Sequence, residues 1–128
     1  MTNSHVDQAK RKRGKTNYLN GLAAEVSVAM CYQTRGGQIA AKRWRGLAGE
    51  IDLIIRNGAE LVFVEVKKAR DFAQAAERVT ASQMARVVRA ANEYLADEPL
   101  GLLTPIRFDV ALVNAQGETD ILENVTLA

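Results

Sequence analysis

Residues 49–67 read GEIDLIIRNGAELVFVEVK, two strongly apolar runs on either side of Asn57-Gly58. Both runs are rich in Ile, Leu and Val, as strands of a sheet are. Asn-Gly suits the two positive φ angles of a type I′ turn, so the spacing predicts a hairpin with a two-residue loop. With Asn57 and Gly58 as that loop, Arg56 faces Ala59, Asp52 faces Phe63 and Glu50 faces Glu65. Alternation then puts Glu50, Asp52, Ile54, Leu61, Phe63, Glu65 and Lys67 on one face. The other face carries Ile51, Leu53, Ile55, Val62, Val64 and Val66, an apolar surface that has to be buried, most simply under a helix.

Working outward, Thr16 or Asn17 can cap a helix that runs to about Thr34 and stops at Gly36-Gly37. Its apolar stripe reads Leu19, Leu22, Ala23, Val26, Ala29 and Met30. Residues 38–45 form a first strand. A second helix spans about 81–96, with Thr80 and Gln83 as a capping box and Val87, Val88, Ala91, Tyr94 and Leu95 inside. Strands follow at 106–113 and, after Gln116-Gly117, at 120–125. The order is helix, three strands, helix, then one or two strands, which is an α/β or α+β domain with a central mixed sheet.

At 128 residues the chain has room for one domain. It is 48% hydrophobic and 25% charged with only 11 Gly and Pro together, which excludes disordered and collagen-like chains. No apolar run approaches the roughly 20 residues that cross a bilayer, and the N-terminus lacks a secretory signal's apolar stretch. The expected setting is the cytoplasm, away from membranes. Cys31 and His5 are the only residues of their types, which removes disulfides, cysteine-rich zinc sites and a histidine-based triad. Chemistry has to rest on Asp, Glu, Lys and backbone.

Charge is unevenly placed. Residues 1–15 hold five of the 17 basic residues and one acid, Asp7, leaving 16–128 with 12 basic and 14 acidic groups. The arm at 1–15 is either a phosphate-binding segment or a solvated, frayed terminus ahead of a single domain at 16–128. Lys42, Arg43 and Arg45, with Trp44 between them, form the best local patch for nucleic acid, although snorkelling cations on an exposed strand explain it equally well.

The chemically informative feature is the polar hairpin face. Glu50, Asp52 and Glu65 crowd one end of it, with Lys67 beside them. Like charges opposed across strands destabilise a sheet unless they share a proton or bind a cation. Mg²⁺ is a natural companion for oxygen ligands, and Lys67 on the same face can orient or deprotonate a water there or hold a phosphate oxygen. Metal, water and ammonium together suffice to hydrolyse a phosphodiester. Glu25, at the margin of the first helix's apolar stripe, is a further carboxylate in need of a partner. The competing reading is edge-strand charge for solubility, with Glu65 and Lys67 a solvated pair, Glu25 an ordinary exposed acid and Gln83 only a cap. Asp109 reads as an acceptor of local hydrogen bonds, and Cys31 as a small core residue.

Gly49-Glu50-Ile51-Asp52-Leu53-Ile54 followed by Phe63-Val64-Glu65-Val66-Lys67 resembles the PD-(D/E)XK nuclease superfamily. More closely, the chain resembles the YraN family of small bacterial proteins, regarded as endonucleases akin to archaeal Holliday-junction resolvases. The likeness covers most of residues 18–113 and includes Gly21, Glu25, Trp44-Arg45 and Arg107-Phe108-Asp109-Val110. It implies an α/β restriction-endonuclease-like core in αβββαβ order, and a Mg²⁺- or Mn²⁺-dependent endonuclease acting on DNA at branched or repair intermediates. Asp52, Glu65 and the Val66 carbonyl would hold the metal, Lys67 would be the catalytic lysine, and Glu25 would complete the site. Glu50 matches the motif without a clear role. Resolvase-like folds also suggest a homodimer.

The chain departs from that pattern at Ala24, where Gly is usual, at Lys68-Ala69-Arg70, where Thr-Arg follows the lysine, and at Gln83-Met84-Ala85, where a more basic run is common. The last two remove cations near the substrate. They motivate an alternative, a catalytically inactive nuclease-fold module that binds nucleic acid or a protein.

Overall fold

A computed structural model describes residues 21–125. The basic arm, the Thr16/Asn17 cap and Leu19 lie outside those residues. Helix α1 covers residues 21–34. Strands β1 (Gln38–Arg45), β2 (Glu50–Asn57) and β3 (Glu60–Lys68) follow, then helices α2 (Phe72–Glu77) and α3 (Ala81–Leu95). A 3₁₀ turn at Gly101–Leu103 leads to β4 (Ile106–Val113) and β5 (Thr119–Leu122). The five strands lie in chain order in one sheet. β3 and β4 are parallel and the other pairs antiparallel, so the sheet is mixed as expected.

Helices cover both faces. Ala24, Val28, Ala29 and Tyr32 of α1 pack on Leu53, Ile55, Val62 and Val64. Val87, Ala90, Ala91 and Leu95 of α3 pack on Ile54, Leu61 and Phe63. The capping box at the start of α3 is formed, with the Thr80 hydroxyl accepting from the Gln83 amide at 3.2 Å and the Gln83 side chain accepting from the Thr80 amide at 3.4 Å.

The hairpin differs from expectation in its register. Asn57 pairs with Glu60 and Ile54 with Phe63, so Gly58 and Ala59, rather than Asn57 and Gly58, form the loop. Gly58 has φ +64° while Ala59 is not among the positive-φ residues. Positive φ at the first loop position alone belongs to a type II′ turn, which Gly permits by itself. The two-residue shift leaves the side chains of the paired residues 53–57 and 60–64 on their predicted faces but changes their partners. Continued one step past Leu53–Val64, this register brings Asp52, rather than Glu50, to the level of Glu65.

Other expectations are corrected by packing. Of the expected stripe of α1, Ala29 is buried, but Leu22 is half-buried and Ala23, Val26 and Met30 are exposed, whereas Ala24, Val28 and Tyr32 are buried. Small side chains and apolar residues surround this helix, so periodicity alone did not choose its face. The Tyr32 hydroxyl, which donates to buried Asp109 at 2.7 Å, supplies the tertiary constraint that does. Ile51 packs with Ile54 and Phe63 under α3 rather than with Leu53 and Ile55. The β2–β3 ladder ends at Leu53–Val64, and beyond it β2 follows β1, where Trp44 opposite Ile51 joins the same cluster. Helix α2 was not anticipated; its Phe72 and Ala75 cover β4 at Val110 and Leu112. The last strand is 119–122, not 120–125.

Candidate functional site

Where β2 separates from β3, the Asp52 side chain turns to the neighbouring strand and accepts the Val66 amide at 2.8 Å. Glu65 projects beside it, and Lys67, two residues further on the same face, places Nζ 3.3 Å from Glu65 Oε1. Both side chains of that pair are mostly buried, at 17% and 13% exposure, which is unlike a solvated surface pair. A cavity of about 270 Å³ opens here, lined by Gly49, Glu50, Asp52, Glu65, Gln83, Arg86 and Val87. The alternation read from the hairpin therefore brings Asp52, Glu65 and Lys67 together, and adds Glu50 at the rim.

The electrostatics of this corner are unbalanced. Burial, then the nearby Glu65 charge, push the Asp52 carboxyl up to about 7, with Glu25 adding to the effect; the Val66 amide and Lys67 oppose it only in part. Burial also raises the Glu65 carboxyl, against the pull of Lys67 and Arg86. The Lys67 ammonium is in contact with Glu65, while Asp52 is met by the Val66 amide and only in part by Lys67.

Glu25 is not in that cavity. It lines a separate depression of about 170 Å³ with Leu22, Val26, Lys42, Arg43 and Leu53, and its carboxylate accepts from Arg43 Nε at 2.9 Å. Arg43 adopts φ +48°, a left-handed conformation in mid-strand, next to the β1 bulge between Ile39 and Ala41. Of the three cations proposed for nucleic acid, Arg43 thus turns toward α1, Lys42 is exposed and Arg45 is exposed while pairing with Glu50 at 3.2 Å. Gln83 is both cap and cavity lining.

Two residues escaped the sequence reading. Arg86 lies one turn after Gln83 on α3 and shares the cavity, so helical spacing from the cap could have found it. Glu93 accepts the amides of Leu47 at 2.7 Å and Ala48 at 2.9 Å, holding the β1–β2 loop to α3. Partners 46 and 45 residues apart leave no local signal. Gly46 is required there, since a Cβ would stand 1.9 Å from Glu93 Oε2 and 2.8 Å from the Trp44 ring.

Among the described residues no three His, Cys, Asp or Glu side chains gather closely enough to form a metal-binding group by themselves. The donor chemistry still suits a hard cation, because Mg²⁺ commonly takes only one or two carboxylates and keeps its waters. Asp52 and Glu65 provide such a pair.

Asp109 is a different case. It is fully buried and accepts from Tyr32 Oη, from Arg107 Nε at 3.1 Å and Nη2 at 3.2 Å, and from the Asn124 amide at 2.9 Å. That confirms it as an acceptor, with partners reaching across the fold to α1. Cys31 is only half-buried and its Sγ lies 3.0 Å from Thr119 Oγ1.

A family model described as uncharacterised protein family UPF0102 matches residues 24–113, which spans Glu25, the hairpin, α3 and β4. The chain belongs to the UPF0102 family. It is 56% identical over 117 residues to the UPF0102 protein of Ruegeria pomeroyi, covering 91% of this chain and 95% of that one. The UPF0102 protein of Roseobacter denitrificans is 47% identical over 124 residues, 97% of this chain and 96% of its own. That of Dinoroseobacter shibae is 40% identical over 124 residues, 97% and 92%. UPF0102 membership agrees with the YraN-like motifs around Asp52 and Glu65. Among the described residues of this UPF0102 chain, no helix is long and apolar enough to cross a membrane.

Proposed function

We propose that this UPF0102 protein is a cytoplasmic, divalent-metal-dependent endonuclease with a restriction-endonuclease-like core, hydrolysing DNA phosphodiester bonds at branched or repair intermediates. The observation that carries the reading is the meeting of Asp52 and Glu65 in one cavity, both acids raised by burial, with the Lys67 ammonium in contact with Glu65. Acids placed so that their charge is under-compensated mark a site built for a cationic companion.

Asp52 and Glu65, with the Val66 carbonyl, would hold Mg²⁺ or Mn²⁺. The ion supplies positive charge against the negative charge that develops on the phosphoryl oxygens during hydrolysis. The chain's own residues do the rest. The Val66 amide orients Asp52, and Glu65 holds the Lys67 ammonium 3.3 Å from its own carboxylate. Lys67 is then placed to position an attacking water or to hold a phosphate oxygen. Arg86 and Gln83 on the opposite wall can bind and orient the scissile phosphate. Loss of Lys67 is expected to lower cleavage at least about a hundredfold, the scale of one removed electrostatic stabiliser.

The test is cleavage of duplex, single-stranded and four-way-junction DNA with Mg²⁺ or Mn²⁺, comparing wild type with Lys67→Ala. Activity that survives the substitution removes the mechanism. A homodimer, expected of resolvase-like folds, is read from light scattering of the same samples.

One observation favours the inactive-module reading: Glu25, expected to complete the site, is held by Arg43 instead. That reading predicts nucleic-acid binding indifferent to divalent metal and to Asp52→Asn. Calorimetric titration of Mn²⁺ into wild type and Asp52→Asn separates the two, because only the nuclease reading requires uptake that the substitution abolishes.

A further inference from the structure

The β1–β2 loop presents Leu47 to solvent fully exposed, more so than any other large hydrophobic among the described residues. Single exposed leucines are common. This one differs in its mount. The Leu47 and Ala48 amides are both held by the Glu93 carboxylate, and the Gly46 amide donates to the Gly49 carbonyl at 2.9 Å. Ala48 packs against the core cluster under α3, and a Cβ at Gly46 would have to displace the Glu93 carboxylate and the Trp44 ring. The backbone is fixed on every side while the leucine side chain is fully open to solvent.

The position of this mount is equally specific. Gly49 and Glu50, the next residues after Ala48, line the cavity that holds Asp52 and Glu65. On the other side of the loop, exposed Lys42 and Arg45 lie on β1. The apolar tip thus sits in the loop that joins the β1 end carrying exposed Arg45 to the cavity-lining residues Gly49 and Glu50, the second of which Arg45 reaches at 3.2 Å. Aliphatic side chains in such positions enter the stack between base steps and hold the duplex open. Insertion is cheapest where stacking is already broken, at a mismatch or branch point. A pre-ordered mount reduces the entropy lost on insertion.

We propose that Leu47 is a wedge that inserts into the base stack of distorted or branched DNA, next to the phosphate at the Asp52–Glu65 cavity. The proposal rests on the nuclease reading for its substrate class, and names what makes that substrate a distorted one.

The test uses the full chain in metal-free buffer with DNA carrying a fluorescent adenine analogue beside a branch point or mismatch. Wild type is expected to raise the fluorescence on binding. Leu47→Ala is expected to lose the rise and to bind the branched DNA about tenfold more weakly, the scale of one buried leucine side chain. Leu47→Phe, which keeps a wedge, retains the rise. Glu93→Ala, which releases the mount, gives a smaller rise than wild type. An unchanged melting temperature for Leu47→Ala shows that the fold is intact. The proposal is overturned if wild type binds without a fluorescence change, if it binds no DNA at all, or if Leu47→Ala matches wild type. A protein partner docking at Leu47 instead gives this last result. Cleavage with Mg²⁺ is scored separately. Efficient cleavage by wild type and Leu47→Ala alike removes the wedge and leaves the nuclease. A Leu47-dependent rise with no cleavage by wild type keeps the wedge and removes the nuclease.

Discussion

Asp52 and Asp109 are two aspartates drawn into the same sheet, and their surroundings differ in kind. Asp109 has a guanidinium, a phenol and a backbone amide arranged around it, and Arg107 extends the set to Glu60 at 3.2 Å. Asp52 has one backbone amide and faces another acid. A carboxylate saturated by donors ties elements together. One left short of them is costly to the fold, which marks it as a candidate for binding. The contrast separates an acid that builds the domain from the acids of the candidate site.

The contrast is broken most directly at Asp109. Asp109→Ala leaves the Tyr32 hydroxyl buried without its acceptor and strips Arg107 of its bidentate partner, leaving it Glu60, and is expected to cost about 3–5 kcal/mol in urea unfolding. A loss well below that range would mean that Asp109 is not the structural anchor.

Asp52→Asn should act in the opposite direction. With its carboxyl near pH 7 in the fold and near 4 in the unfolded chain, Asp52 holds a proton between those values only when folded. Its contribution therefore favours folding less and less as pH rises from about 4 to about 7. Asparagine keeps an acceptor for the Val66 amide without the charge. The variant is expected to be about 2 kcal/mol more stable than wild type above pH 7 and equal to it near pH 4, as read by chemical denaturation across pH. Greater stability of wild type at pH 8 without metal would contradict the assigned imbalance.

Metal sharpens the same comparison. Mn²⁺ at a hundred times its dissociation constant is expected to stabilise wild type by about 2.7 kcal/mol and Asp52→Asn by almost nothing. Arg43→Ala carries the smallest stability effect. The pair it breaks is partly exposed, at 35% and 19%, so the cost is below about 1 kcal/mol. If Glu25 belongs with Asp52, its release should tighten Mn²⁺ binding in calorimetry; weaker binding would make the Arg43–Glu25 pair a support of the site.

Much of this was legible before any coordinates. The period of two in residues 49–67 placed Asp52, Glu65 and Lys67 on one face, and a turn one residue later leaves that result intact because the strand pairing moves in steps of two. Thr80 and Gln83 declared the start of α3 through a local hydrogen-bond exchange. The buried face of α1 was not legible, because apolar residues occupy more than one side of it and the deciding contact, Tyr32 with Asp109, spans 77 residues. Glu93 was missed for the same reason.

The amino-acid sequence alone determined that Asp52, Glu65 and Lys67 share a strand face and where α3 begins, since these follow from backbone periodicity and local capping. Tertiary structure alone decided that Asp52 stands level with Glu65, that Glu25 answers to Arg43 and that Asp109 is sealed by its partners. Those outcomes depend on which distant groups desolvation brings together, and burial strengthens both the attraction of a paired charge and the cost of an unpaired one.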